Sequence, residues 1–270
     1  PPSSPSASSP TIIPNHTSPS LSLLQTELVV AICDEDLSWI KEEVYSFDQI
    51  TVYDKCHSPN TLRPILNISK IRIYSMPNVG SADGAYLRHI TTQYHHLAKF
   101  TVFTKGRNRF NATSMLRELQ KRNNIRQDDP IPRTYFCPYD EIIHSLVSFS
   151  PNFRLKHHFF RNNPNRQQEH PFQRYTGNMG TWLNDVFGPN ITSVFLKMSD
   201  IRSRRFCIGG YLSATRETIR KHPLYVYSAI HEMQVFANEE IDHYMERSWE
   251  ALFMYPGAIQ CHMEEMPTVS

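Results

Sequence analysis

Residues 28–44 read LVVAICDEDLSWIKEEV, and this stretch decides the fold class. The run Leu28-Val-Val-Ala-Ile-Cys33 is continuously apolar, which suits a strand covered on both faces in a parallel sheet. Asp34-Glu35-Asp36 follows as an acidic turn, and either aspartate can cap a helix whose apolar face carries Trp39, Ile40, Val44 and Phe47. A strand, a turn and a helix in this order make the first βα unit of an α/β domain.

The pattern repeats on the C-terminal side. Gln49–Tyr53 reads as a second strand and Ile71–Ser75 as a third. Pro77-Asn78-Val79-Gly80-Ser81 is a turn, and Ser81 or Asp83 can cap a helix bearing Tyr86, Leu87, Ile90, Tyr94 and Leu97 at helical spacing. Phe100–Thr104 is the fourth strand, with a helix expected from Thr113 to Lys121. Strands that alternate with helices point to a single Rossmann-like α/β domain with a mostly parallel central sheet flanked by helices. The order is hard to read from Asn123 to Thr176, where Pro and Asn are frequent. Beyond it the spacing gives a short helix over Gly180–Phe187, an apolar run Val194–Leu196, a strand over Phe206–Tyr211 interrupted by paired glycines, a helix over Thr215–Lys221, and a long amphipathic stretch from Tyr225 to Phe253.

Composition bounds the rest. With 270 residues, 40% of them hydrophobic, the chain can bury one sizeable core. Lys plus Arg total 28 against 26 Asp plus Glu, so charge gives no reason to expect nucleic acid or an anionic membrane surface. No stretch approaches the roughly 18 apolar residues that span a bilayer, and a first residue that is Pro rather than Met is expected of a fragment. The Pro/Ser/Thr tract over residues 1–25 reads as a disordered stalk, 26–258 as the folded domain and 259–270 as a C-terminal tail.

Four N-x-Ser/Thr sequons begin at Asn15, Asn67, Asn111 and Asn190, and with the stalk they favour a secreted or lumenal protein. A cytosolic α/β protein with a disordered tail is the contrasting expectation. The five cysteines include no C-x-x-C pair and no zinc-like spacing with His. Cys33 and Cys207 sit in apolar runs and read as buried thiols; one or two disulfides are the alternative.

Six collinear pieces carry a family resemblance: VVAICDEDLSWI at 29–40, VYDK at 52–55, PNVGSADGAYLRHI at 77–90, FTVFTKG at 100–106, GGYLSATRETIRKHP at 209–223 and YMERSWEALF at 244–253. In these the chain resembles a group of uncharacterised fungal and algal proteins, classed as a domain of unknown function and similar to nucleotide-sugar glycosyltransferases of the GT-A type. The resemblance implies a single GT-A-like domain, a nucleotide sugar as donor substrate, a glycan or protein acceptor, and a type II membrane protein of the Golgi lumen or a secreted one, attached to a membrane only through an N-terminal anchor outside this sequence. Two departures stand out. Ala82 then Asp83 occupy the place where the family usually has an acidic residue two positions after the turn Gly, and Lys105-Gly106-Arg107 stands where members carry a His-containing segment.

Sugar transfer needs the departing diphosphate neutralised, by a divalent metal on carboxylates or by Lys and Arg, and often a carboxylate base for the acceptor hydroxyl. Asp34-x-Asp36 is the one D-x-D, at the carboxyl end of a strand, where α/β sheets bind ligands. These two aspartates read either as donor or metal contacts or as helix caps. Mn²⁺ or Mg²⁺ remains an open expectation, because the D-x-D of GT-A folds normally follows a later strand. Lys105 and Arg107 read as donor-phosphate contacts or as solvated loop cations. Asn78 and Gly80 read as a ligand-approaching turn or a plain strand-to-helix turn. Gly209 and Gly210 read as an acceptor surface or a strand kink. Glu246 is the candidate catalytic base, or else a structural helix charge. The rival to an enzyme is a non-catalytic lumenal or secreted binding module on the same fold.

Overall fold

The computed structural model describes residues 24–57, 59–124, 134–138, 152, 177–201, 207–234 and 239–255, less the side chains of 196–201, 208, 239 and 240. In chain order the elements are β1 (Thr26–Ile32), α1 (Ile40–Glu43), β2 (Gln49–Asp54), α2 (Pro59–Leu62), β3 (Ile71–Ser75), α3 (Ser81–Gln93), β4 (Phe100–Lys105), α4 (Ala112–Asn124), β5 (Tyr135–Phe136), α5 (Met179–Ile201, bent at Gly188), β6 (Leu212–Thr215), α6 (Arg216–Arg220), α7 (Leu224–Met233) and α8 (Glu239–Met254). Short 3₁₀ turns cover Val44–Ser46 and Ile208–Gly210.

The six strands form one sheet in the order β3-β2-β1-β4-β6-β5. β1 to β4 are mutually parallel, and β6 runs antiparallel to both β4 and β5. This is an α/β Rossmann-like architecture with a mostly parallel, mixed sheet. Its chemistry follows from alternation along the strands. Leu28, Val30, Ile32, Val52 and Val102 face a core shared with α1 and α4, while Val29, Ala31, Tyr53 and Phe103 face a larger core shared with α3, α5, α7 and α8. The unbroken apolar run of β1 therefore has two hydrophobic layers to fill. From β1 the chain moves outward through β2 to β3, then crosses back to lay β4 on the other side, so the order reverses at β1 and β4.

Two buried acids of this core are paired. Glu27 on β1 accepts a hydrogen bond from Thr51 Oγ1 at 2.7 Å and lies 3.4 Å from His89 Nε2 on α3. Burial alone would raise its carboxyl, but His89 and Thr51 hold it below the usual range. Glu43, at the end of α1, is buried and accepts hydrogen bonds from Thr113 N at 2.9 Å, from Thr113 Oγ1 and from Asn111 Nδ2. Asn111 Oδ1 in turn accepts from Ser114 N at 2.8 Å, so two side chains cap α4. Glu43→Ala is expected to cost about 1–3 kcal/mol, because it orphans N–H and O–H donors at a helix start; urea unfolding reads this directly, with Glu42→Ala, an exposed neighbour, as a near-neutral control.

Several expectations change. Cys33 and Cys207 are not free thiols: Cys33 bridges to Cys56, joining the carboxyl ends of β1 and β2, and Cys207 bridges to Cys137. Apolar flanks signal burial, but a thiol and a half-cystine are equally at home there. The strand near 206–211 begins later, at Leu212, because Gly209 and Gly210 both adopt left-handed backbone (φ 68° and 71°), which ends extended pairing. The stretch from Tyr225 to Phe253 is two helices, α7 and α8. Leu24 is already anchored, its carbonyl accepting from Lys99 N at 2.9 Å, whereas most of the stalk, Asn15, the tail 259–270 and nearly all of Asn123 to Thr176 lie outside the described residues. Among the described residues no helix is long and apolar enough to cross a membrane.

Candidate functional site

The carboxyl ends of the parallel strands gather five ionisable groups. Lys55 follows the last residue of β2, and Lys105 is the last residue of β4. Asp83 sits in the first turn of α3, and Asp242 and Glu246 come from α8. Helical spacing explains the α8 contribution: positions 242, 246 and 249 follow an i, i+4, i+7 pattern and share a face. Lys105 ends β4, which with β1 forms the point where the strand order reverses and open α/β sheets form their ligand crevice.

Asp83 is the centre of the cluster and is 1% exposed. Its Oδ1 accepts a hydrogen bond of 2.6 Å from Trp249 Nε1. Burial pushes its carboxyl up to about 7, with Glu246 adding to the rise and Lys105, Trp249 and Lys55 opposing it. Lys55, 6% exposed, donates to Ser81 O; burial brings its ammonium down to about 8 against the pull of Asp242 and Asp83. Glu246 Oε1 accepts from Gly209 N at 3.0 Å, and its other oxygen lies 3.9 Å from His243 Nδ1. Gly209 and Gly210 thereby fold the turn before β6 over the cluster. A Cβ on Gly210 would stand 3.2 Å from Lys105 Cε and 3.7 Å from Asp83 Oδ1, so the absent side chain leaves the two charged groups facing one point. Tyr86, one turn along α3, has a buried hydroxyl with no hydrogen-bond partner; burial, then Asp83, Tyr211 and Glu246, keep it protonated.

Of the residues singled out in the sequence, Lys105, Gly209, Gly210 and Glu246 meet here. Asp34 and Asp36 do not share the cluster. Both are exposed, and Asp36 accepts from Ser38 N at 2.9 Å and Ser38 Oγ at 2.6 Å, which holds its carboxyl low and makes it a turn cap. Arg107 is exposed. Asn78 is also exposed, its Nδ2 3.5 Å from Cys56 Sγ at the disulfide. Gly80 has φ 68°, and a Cβ there would stand 2.9 Å from Gly84 Cα and 3.1 Å from Gln234 Cβ, so its absent side chain serves the contact of α3 with the end of α7.

Lys55, Asp242, Asp83 as an ionisable group and Tyr86 escaped the sequence reading. The i, i+4, i+7 pattern of α8 was a signal for Asp242, and the strand-end position was one for Lys55. Among the described residues no group of three His, Cys, Asp or Glu side chains is placed to hold a metal ion. The physical reason lies in the cluster itself, where two ammonium groups stand among the carboxyls, so these residues do not fit a divalent cation. What they fit is an anion held by lysines beside a carboxyl able to exchange a proton near neutral pH. Compared with known proteins, the chain matches no family model, no curated protein and no solved structure.

Proposed function

We propose that this domain is a glycosyltransferase of the secretory pathway lumen, moving a sugar from a nucleotide-sugar donor to a hydroxyl of a glycan or protein acceptor. The observation that carries this reading is the grouping of Lys55, Lys105, Asp83 and Glu246 at the strands' carboxyl ends, beside the reversal of strand order at β1 and β4. The lysines neutralise the diphosphate as it departs. Glu246 receives the proton of the acceptor hydroxyl, while Asp83, its carboxyl raised to about 7, stands beside the phosphate. Two disulfides and an exposed sequon at Asn67 suit an oxidising, glycosylating compartment.

A second reading, a binding module that has kept the fold without turnover, is favoured by the exposed D-x-D and the lack of a metal-holding group among the described residues. The experiment is hydrolysis and transfer by the purified protein across the common uridine and guanosine diphosphate sugars, with and without Mn²⁺. Turnover of one donor, reduced roughly a hundredfold or more in Lys105→Ala, is expected. Binding with no turnover would favour the module, and silence in both binding and turnover would remove both readings.

Sequon use gives a separate check on the compartment. Asn67 is exposed, whereas the Asn111 side-chain amide, the atom a glycan would occupy, donates to Glu43. Secreted protein is expected to carry a glycan at Asn67 and none at Asn111; peptide mass mapping with and without glycosidase decides, and a bare Asn67 counts against the lumenal reading.

A further inference from the structure

We propose that the cluster binds a diphosphate between Lys55 and Lys105 together with one proton, which Asp83 carries. The inference rests on the donor reading above and adds how the site balances charge when its ligand arrives.

The geometry sets the problem. Lys55 and Lys105 bring two positive charges against the three carboxyls of Asp83, Asp242 and Glu246, so a diphosphate arriving at the lysines adds negative charge beside carboxyls already present. An anion drawn to Lys105 also meets Asp83, because Lys105 Nζ and Asp83 Oδ1 lie 3.8 and 3.7 Å from the same point, the position a Cβ on Gly210 would take. An ionised Asp83 would repel phosphate oxygens there at near-contact distance, in a site with little water to screen it. A protonated Asp83 instead offers an O–H to a phosphate oxygen.

Burial, and then Glu246, favour the protonated form of Asp83, while Lys105, Trp249 and Lys55 oppose it. Glu246 faces it from α8, on the same helix as Asp242, and Trp249 Nε1 holds one oxygen. His243 lies beside Glu246. Lys55 and Lys105 approach from the strand ends, and Tyr86 on α3, itself near Tyr211 and Glu35, supplies no charge. With the carboxyl poised at about 7, ligand binding near neutral pH draws a proton from solvent.

The test is calorimetric titration of the purified protein, without added metal, with uridine diphosphate, guanosine diphosphate and inorganic pyrophosphate, in pairs of buffers that differ in ionisation heat. Proton uptake by wild type is expected to exceed that by Asp83→Asn by about a quarter per site at pH 6.5 and by about three-quarters at pH 7.5, the subtraction removing the protons exchanged by Lys55 and by the probe's own terminal phosphate. Lys105→Ala should weaken binding at least tenfold, whatever happens to the Asp83 variant. Diphosphate binding with the same proton exchange in wild type and Asp83→Asn overturns this inference and leaves the donor reading standing. No binding of any of the three probes at millimolar concentration overturns both. Should Asp83→Asn fail to fold, the same subtraction is made with Asp83→Ser, which also cannot carry the proton.

Discussion

Asp83→Asn is expected to make the protein more stable at pH 8, by roughly 2–4 kcal/mol, and to have a much smaller effect at pH 4.5. The unfolded chain ionises this carboxyl near the ordinary value of 3.8, and the fold raises it to about 7. A raised acid favours the native state fully below its unfolded value, and that support is lost as pH climbs through the folded one. Above pH 7 the wild type therefore holds a carboxylate in a place that resists charge, next to Glu246. Asparagine has nearly the same shape, cannot ionise, and its carbonyl can still accept the Trp249 N–H. Urea unfolding of both proteins at the two pH values reads the difference. A variant equally stabilised at both, or destabilised at pH 8, would show that Asp83 is not held in an unfavourable ionised state. The same substitution should abolish any transfer activity that uses this carboxyl, the usual exchange of stability against function at a strained site.

Gly80→Ala is expected to destabilise the protein by about 2–4 kcal/mol. Two costs add. An alanine at φ 68° is forced into left-handed backbone, and its Cβ would stand 2.9 Å from Gly84 Cα and 3.1 Å from Gln234 Cβ. Neither neighbour is a flexible side-chain end, so α3 and the end of α7 must separate, opening the larger of the two cores. Because Asp83 rides in the first turn of α3, the shift would also disturb the ionisable cluster. The measurement is the urea midpoint together with binding of uridine diphosphate. A stable variant with intact binding would mean that this seam yields more readily than close packing allows.

The parallel half of the sheet was legible in the sequence because its signals are local. Leu28–Cys33, Gln49–Tyr53, Ile71–Ser75 and Phe100–Thr104 each announce a strand by apolar run or alternation, and β1 to β4 fall on them within a residue or two. The C-terminal part was less so. Paired glycines inside Phe206–Tyr211 look like a kinked strand until their φ values are known, and the break between α7 and α8 carries no Pro or Gly to mark it. In the site, Lys105, Gly209, Gly210 and Glu246 could be named from the sequence, each as one of two readings. Lys55 was passed over despite its strand-end position, since a lysine after a strand is ordinarily solvated.

By itself, then, the sequence determined the class of fold, because periodicity is written along one dimension and a two-sided apolar strand has few ways to be buried. Only the tertiary structure decided which charges meet. The acidic turn Asp34-Glu35-Asp36, the obvious ligand signal, ends in a local cap by Asp36, while Asp83, one of two possible caps, became the buried centre of the cluster. The difference is solvation. Asp34 and Asp36 remain in water, whereas α3, α8 and the Gly209–Gly210 turn close over Asp83 and bring Glu246, Lys55 and Lys105 to it. The ionisation of a carboxyl depends on what surrounds it in space, and for Asp83 those neighbours lie on α8 and at the ends of two strands.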